Sequence, residues 1–168
     1  MLNTPMPCRA FTCKYDGLVS QLKNKVQVLH EDNEITEDAL WDTGATITCI
    51  SKAVAEKLSL VPTGVRLIKT PSGAKNVPTY LIDIKLPNNV IIKDIEVCGS
   101  DIGDQGLGVL VGMNIIMLGD FSVSSYGGKT TFTFRIPSME ATDFVKKIKL
   151  QNLVGKPHGP GKRKKKNK

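Results

Sequence analysis

The chain is poor in the residues that would make several readings easy. Aromatics are only 5% of its 168 residues, with a single tryptophan, and there are two histidines and four cysteines. The histidines, His30 and His158, lie far apart. Cys8 and Cys13 have the C-x4-C spacing that can open a metal site, but no second pair follows. A structural zinc needs about four converging ligands, so no metal and no cofactor is expected. Cys8, Cys13, Cys49 and Cys98 allow three disulfide pairings. Without an export signal, reduced thiols are the expectation. The apolar runs are short, far below the roughly 18 residues of a membrane span, and Met1–Pro7 lacks a basic start followed by an apolar stretch. A soluble, cytoplasmic protein that makes no membrane contact is expected.

Charge of one sign is also missing from most of the chain. The net charge is +7, and residues 155–168 alone carry six lysines and one arginine with no acid. The other residues balance, which argues against a nucleic-acid surface spread over the fold. What remains is a neutral body with a basic tail. Such a run is ordinarily a solvated appendage. Its functional alternative is contact with nucleic acid or an acidic partner. With no interleaved aromatics, that contact would be to phosphates and salt-sensitive.

Patterning divides the chain into an arm (1–17), a body (18–137), a helical extension (138–154) and the tail (155–168), the tail expected to be disordered. Alternation predicts strand over Leu18–Leu29, and acidic Glu31–Glu37 reads as a turn. Ser51–Leu60 changes period, with Ser51 placed to cap a short helix. Strand-like runs follow, separated by Pro71-Ser72-Gly73-Ala74, by Pro87-Asn88-Asn89 and by a glycine-rich loop over Gly99–Gly108. Val109–Gly112 reads as a buried strand, Met113–Leu118 as a short helix and Tyr126-Gly127-Gly128 as a hairpin turn. A last helix is expected over Thr142–Leu150, through Phe144, Val145 and Ile148. The fold class is mostly β with two or three short helices.

One stretch carries chemistry. In Leu40-Trp41-Asp42-Thr43-Gly44-Ala45-Thr46, a carboxylate sits on a turn between two apolar, β-prone segments. Holding a carboxylate there is costly unless it is hydrogen-bonded or used. The stretch resembles the active-site loop of the retropepsin-like aspartic proteases. Val111-Gly112, with the apolar run that follows, is similar to that family's second motif, in which the glycine lets a strand pack beneath the loop. The hairpin at Pro71, Ser72, Gly73 and Ala74 stands where the family carries its flap. The resemblance covers about 18–137.

It implies an acid-protease barrel active as a symmetric homodimer on peptide or protein substrate, with Asp42 catalytic and Thr43, Gly44, Ala45 and Thr46 forming the loop. By the same resemblance, the Thr43 hydroxyl bridges to the partner's loop, the Gly44 amide donates to Asp42, and Thr46 hydrogen-bonds near the loop. Met113 stands where viral members usually have arginine, so the ion pairing that residue gives near the interface is missing. The overall pattern is closer to a cellular or bacterial member.

Chemistry supplies the need for two copies. Peptide hydrolysis of this type uses two carboxylates that share a proton, one acting as base and the other as acid. This chain has one Asp-Thr-Gly. The clusters at Asp101 and Asp104 lack the hydroxyl residue and the buried flanks. Two other readings compete: a catalytically idle dimer of the same fold that binds protein or nucleic acid, and a basic-tailed β-barrel that binds nucleic acid.

Overall fold

The structure, a computed structural model, describes residues 7–70 and 73–154. The basic tail, with its expected disorder, and Pro71 and Ser72 of the expected flap lie outside the described residues.

The described residues build ten strands: β1 (Arg9–Lys14), β2 (Leu22–His30), β3 (Asn33–Trp41), β4 (Cys49–Ser51), β5 (Gly64–Thr70), β6 (Gly73–Lys85), β7 (Ile91–Ser100), β8 (Val109–Val111), β9 (Asp120–Ser124) and β10 (Thr131–Ile136). The described residues also form three α-helices, α1 (Lys52–Lys57) and α2 (Met113–Ile116) between strands and α3 (Phe144–Val154) after the last strand. The expected mostly β class holds.

Seven strands form one sheet in the order β2-β3-β8-β4-β7-β6-β5, and β2 also pairs with β6 through Gln27↔Lys85 to Leu29↔Asp83. That second pairing closes the sheet into a barrel and covers the edge of β2 at Gln27–Leu29 and that of β6 at Asp83–Lys85. Alternation fills the inside. Val26, Val28, Ala39, Ile50, Ile84, Val97 and Val109 are all essentially buried there. Two pairings, β3 with β8 and β4 with β7, are parallel; the other strand pairs are antiparallel. They carry the chain ends that surround Asp42.

A second, three-stranded sheet has the order β1-β10-β9. Its inner face collects Phe11, Phe121, Phe132 and Phe134 around Trp41, with Trp41 and Phe134 ring centroids 5.0 Å apart. All four phenylalanines share one face by register, Phe132 and Phe134 alternating on β10 with Phe11 and Phe121 each opposite Phe134. Scarce aromatics are thus concentrated under one residue, the neighbour of Asp42.

Two expectations are corrected. The turn expected over Glu31–Glu37 is only Glu31–Asp32, with Glu31 at φ 52°, and β3 already begins at Asn33. The reason is alternation: half-buried Ile35 faces inward opposite Val28, while Glu34 and Thr36 point to solvent. The expected loop at Gly99–Gly108 also starts late, because β7 runs to Ser100 alongside Ser51. Elsewhere Ser51 caps α1 as expected, its Oγ accepting from the Val54 amide. The last helix forms two residues later than expected and buries none of its residues.

Candidate active site

Asp42 follows the last residue of β3, and its position is fixed from both sides. Its own amide donates to the Val111 carbonyl at 3.0 Å, which extends the β3–β8 pairing by one rung. Its carbonyl accepts from the Ala45 amide at 3.2 Å, closing the turn. Within the turn the Gly44 amide donates to Asp42 Oδ1 at 2.8 Å. A Cβ at Gly44 would stand 3.1 Å from that oxygen, so only glycine keeps the approach relaxed. The carboxylate is half-buried, while Thr43, Gly44 and Thr46 are exposed and Ala45 is half-buried.

The second motif lies directly beneath. The Met113 amide donates to the Ala45 carbonyl at 2.8 Å. A Cβ on Gly112 would come within 2.6 Å of the Ile47 carbonyl carbon, which is backbone and cannot move aside. Val111 is fully buried and Met113 packs partly buried against the core, an apolar role in place of an ionic one.

The loop's support comes from residues that the motif reading passed over. Thr48, fully buried, donates its hydroxyl to Asn114 Oδ1 at 2.7 Å and accepts from the Gly112 amide at 3.1 Å. The Thr48 amide also donates to Asn114 Oδ1 at 2.8 Å, and Asn114 Nδ2 reaches the Glu96 carbonyl at 3.3 Å. The buried hydroxyl that secures the loop is therefore that of Thr48, two residues beyond exposed Thr46. A lone amide in the apolar run Val109–Leu118 is the signal that singles out Asn114.

Other ionisable groups nearby are committed elsewhere. Burial pushes the Cys49 thiol up to about 11, with Cys98 and Asp42 adding to the effect. Burial likewise raises Cys98, its register partner on β7. Both are neutral thiols at ordinary pH, unsuited to act as nucleophiles. Asp101 pairs with Lys75 and Lys52, Glu37 with Lys57, and Asp120 with Arg135. No group of His, Cys, Asp and Glu suited to a metal occurs among the described residues.

β5 and β6 form a hairpin with Thr70 opposite Gly73, and Gly73 and Ala74 are exposed. The Lys75–Asp101 ion pair links this hairpin to the loop after β7.

A closed β-barrel with an Asp-Thr-Gly turn seated on an apolar-Gly strand end defines a class, the acid proteases of retropepsin type. The family model described as aspartyl protease matches residues 26–115, more than half of the chain, and the chain belongs to that family. Among solved structures it is similar to a retropepsin-like aspartic protease from Rickettsia conorii, with a TM-score of 0.50 and 13% identity, covering 77% of this chain and 94% of that one. It is also similar to the EIAV protease complexed with the inhibitor HBY-793 (TM-score 0.46, 20% identity, 59% and 88% coverage). A third is the retroviral protease-like domain of Ddi1 from Leishmania major (TM-score 0.44, 14% identity, 62% and 82% coverage). The fold assignment rests on the first. No curated protein matches the chain. No helix among the described residues is long and apolar enough to cross a membrane.

Proposed function

We propose that the protein is an aspartic endopeptidase whose site is completed by a second copy, each subunit giving one Asp42. The observation that carries this reading is the Gly44 amide at 2.8 Å from Asp42 Oδ1, which orients a half-buried carboxylate toward the open side of the turn. Of the acids that could serve as an internal second carboxylate, Asp101, Asp104 and Asp120, the first and the last are bound to cations instead.

In the reaction, one carboxylate takes a proton from water and the other gives one to the scissile carbonyl oxygen. The tetrahedral intermediate then collapses as the amine leaves with a proton. Two carboxylates so close share a proton because both cannot ionise. Thr43, exposed on its own subunit, meets the partner's loop and keeps the two turns parallel. The β5–β6 hairpin, the expected flap, which includes Gly73 and Ala74, closes over extended peptide and excludes water. The basic tail stands apart from catalysis as a solvated appendage, with charge contact to nucleic acid or an acidic partner as its functional alternative.

Asp42→Asn tests the reading. It keeps the shape and the Gly44 hydrogen bond but cannot act as base. Cleavage of a denatured protein should fall by about a thousandfold or more, as loss of an acid–base group predicts, with unchanged circular dichroism. Turnover by this variant near the wild-type rate would overturn the assignment.

A further inference from the structure

We propose that α3 and the basic tail hold the protein on the surface of an anionic lipid bilayer, with apolar side chains of α3 entering between the headgroups. The acidic partner of the tail is then a lipid surface, and the attachment is independent of the reaction proposed above.

The helix stands apart from the rest of the fold. Phe144, Val145, Ile148, Leu150, Leu153 and Val154 are six of its eleven residues, and none of the eleven is buried. Each of the six is more than half exposed, from Ile148 at 54% to Val154 at 88%. Its start is well defined, with Asp143 Oδ1 accepting from the Lys146 amide at 3.1 Å. A helix with that apolar content ordinarily packs into a core. Without packing, helices shorter than about 12 residues are marginal in water. The helix therefore calls for a surface that the body does not provide.

Charge indicates which surface. Residues 144–168 carry nine lysines, one arginine and no acid, against +7 for the whole chain, so the rest of the chain is net negative. With about 100° between successive residues, Phe144, Val145 and Ile148 share one face, bordered by Lys147 and Lys149. Lys147 Nζ lies 5.7 Å from the centre of the Phe144 ring. Leu150, Leu153 and Val154 fall on the other side, so the helix is apolar nearly all round where the tail begins. Lysines beside an apolar face suit the headgroup layer, where their stems bury and their ammonium groups reach phosphate. Lys162–Lys168 adds six basic residues in seven, a cluster of the size that anionic lipids attract.

Two other occupants match only half of this. A nucleic acid meets the charge but offers nothing to six apolar side chains, and Phe144 is the one aromatic in this stretch available for stacking. A second copy of α3 meets the apolar side chains but brings its own lysines and no acid. An anionic bilayer meets both. The short apolar runs that led to the expectation of no membrane contact exclude a span, not a helix lying in the interface.

Vesicle co-sedimentation of the full chain tests the proposal. Vesicles of phosphatidylcholine with about one third phosphatidylserine should carry the protein down, and phosphatidylcholine alone should not. Ile148→Asp should raise the apparent dissociation constant about tenfold or more, because it removes apolar contact and adds an anion. Its melting temperature and peptide hydrolysis should match wild type, since nothing in the body packs on this residue. Replacing Lys164, Lys165 and Lys166 together by Gln should weaken binding as well. Phe144→Trp gives a direct readout: on the anionic vesicles its emission should move to shorter wavelength, after subtraction of the wild-type signal from buried Trp41. Asp42→Asn should bind as wild type does, which separates attachment from catalysis. Failure to bind the anionic vesicles would overturn the proposal, and so would binding that Ile148→Asp leaves intact. An unshifted Phe144→Trp emission on bound protein would do the same. Tighter binding to a single-stranded RNA oligonucleotide than to the vesicles, unchanged in Ile148→Asp, would overturn it in favour of nucleic acid. An oligomer that dissociates in Ile148→Asp while vesicle binding persists would overturn it in favour of a second copy.

Discussion

Trp41 lies flat against Phe121, with ring centroids 5.6 Å apart and planes 6° from parallel, and its indole Nε1 donates to Asn24 Oδ1 at 2.6 Å. The residue that precedes the carboxylate is therefore fixed by β9 on its face and by β2 at its polar end. Offset aromatic pairs of this kind contribute about 0.5–1.5 kcal/mol beyond the area they bury. Their position matters more here than their sum, because any tilt of Trp41 is passed directly to Asp42.

Phe121→Ala should accordingly harm both stability and rate. Loss of a large aromatic from a packed cluster costs about 3 kcal/mol, less where the side chain is only half-buried, as Phe121 is. Phe121→Leu should recover most of the melting temperature but not all of the rate, since volume returns without the flat stacking surface. Thermal unfolding and peptide hydrolysis on the two variants separate the effects. Equal recovery of both would show that the stacking does not orient the loop.

Thr48 supports the loop through polar groups. In Thr48→Val the Gly112 amide loses its acceptor, and Asn114 Oδ1 loses one of its two donors from residue 48. A buried group left without a partner costs about 1–3 kcal/mol, and the destabilisation should fall in that range. Thr48→Ser keeps the hydroxyl and should stay close to wild type. Chemical denaturation measures both. A Thr48→Val protein as stable as Thr48→Ser would remove this network from the account.

How much of this was legible in the sequence follows from how local each feature is. The Asp42 turn is local: Gly44 reaches Asp42 from two residues away, so the motif contains its own geometry. Ser51 capping α1 is equally local, bonded to Val54. The Thr48–Asn114 bond spans 66 residues, and no periodicity connects the two. Phe11, outside the stretch that resembles the family, reads as part of an arm, yet it packs against Trp41, Phe132 and Phe134. Its partners are set by the β1–β10 register, a long-range pairing that composition does not reveal. Glu31–Glu37 reads as a turn because four of its seven residues are acids. A strand with one solvent face accepts them at every second position.

Asp120 predicts an acid-sensitive contact at the start of β9. Its carboxylate accepts from the Ser138 hydroxyl, the Met139 amide and Arg135, and these hold it well below the usual carboxylate range. The folded value lies below the unfolded value of about 3.9, so the contribution is fully present above that pH. It is lost as pH falls below it. Melting temperature should therefore decline more steeply below about pH 4 in wild type than in Asp120→Asn. The two curves should be furthest apart near neutrality and should converge in acid. Parallel curves from pH 7 to 2 would show that Asp120 carries no linked stability.

The shared site makes activity a function of concentration. On the proposed mechanism each chain supplies one Asp-Thr-Gly for a reaction that uses two carboxylates, so a folded monomer should be inert. Specific activity should fall on dilution below the dimer dissociation constant and recover on concentration. Subunit mixing sharpens the test. With a ninefold excess of Asp42→Asn chains that exchange freely, about nine in ten wild-type subunits sit opposite a variant, and activity per wild-type subunit should drop about tenfold. Sedimentation velocity on the same samples fixes the dimer population independently, so loss by unfolding or adsorption is told apart from loss by dissociation. Specific activity that stays constant into a demonstrably monomeric range would defeat the shared site. The second carboxylate would then have to come from within one chain. Asp104 would be tested first, because Asp101 and Asp120 are each paired with cations.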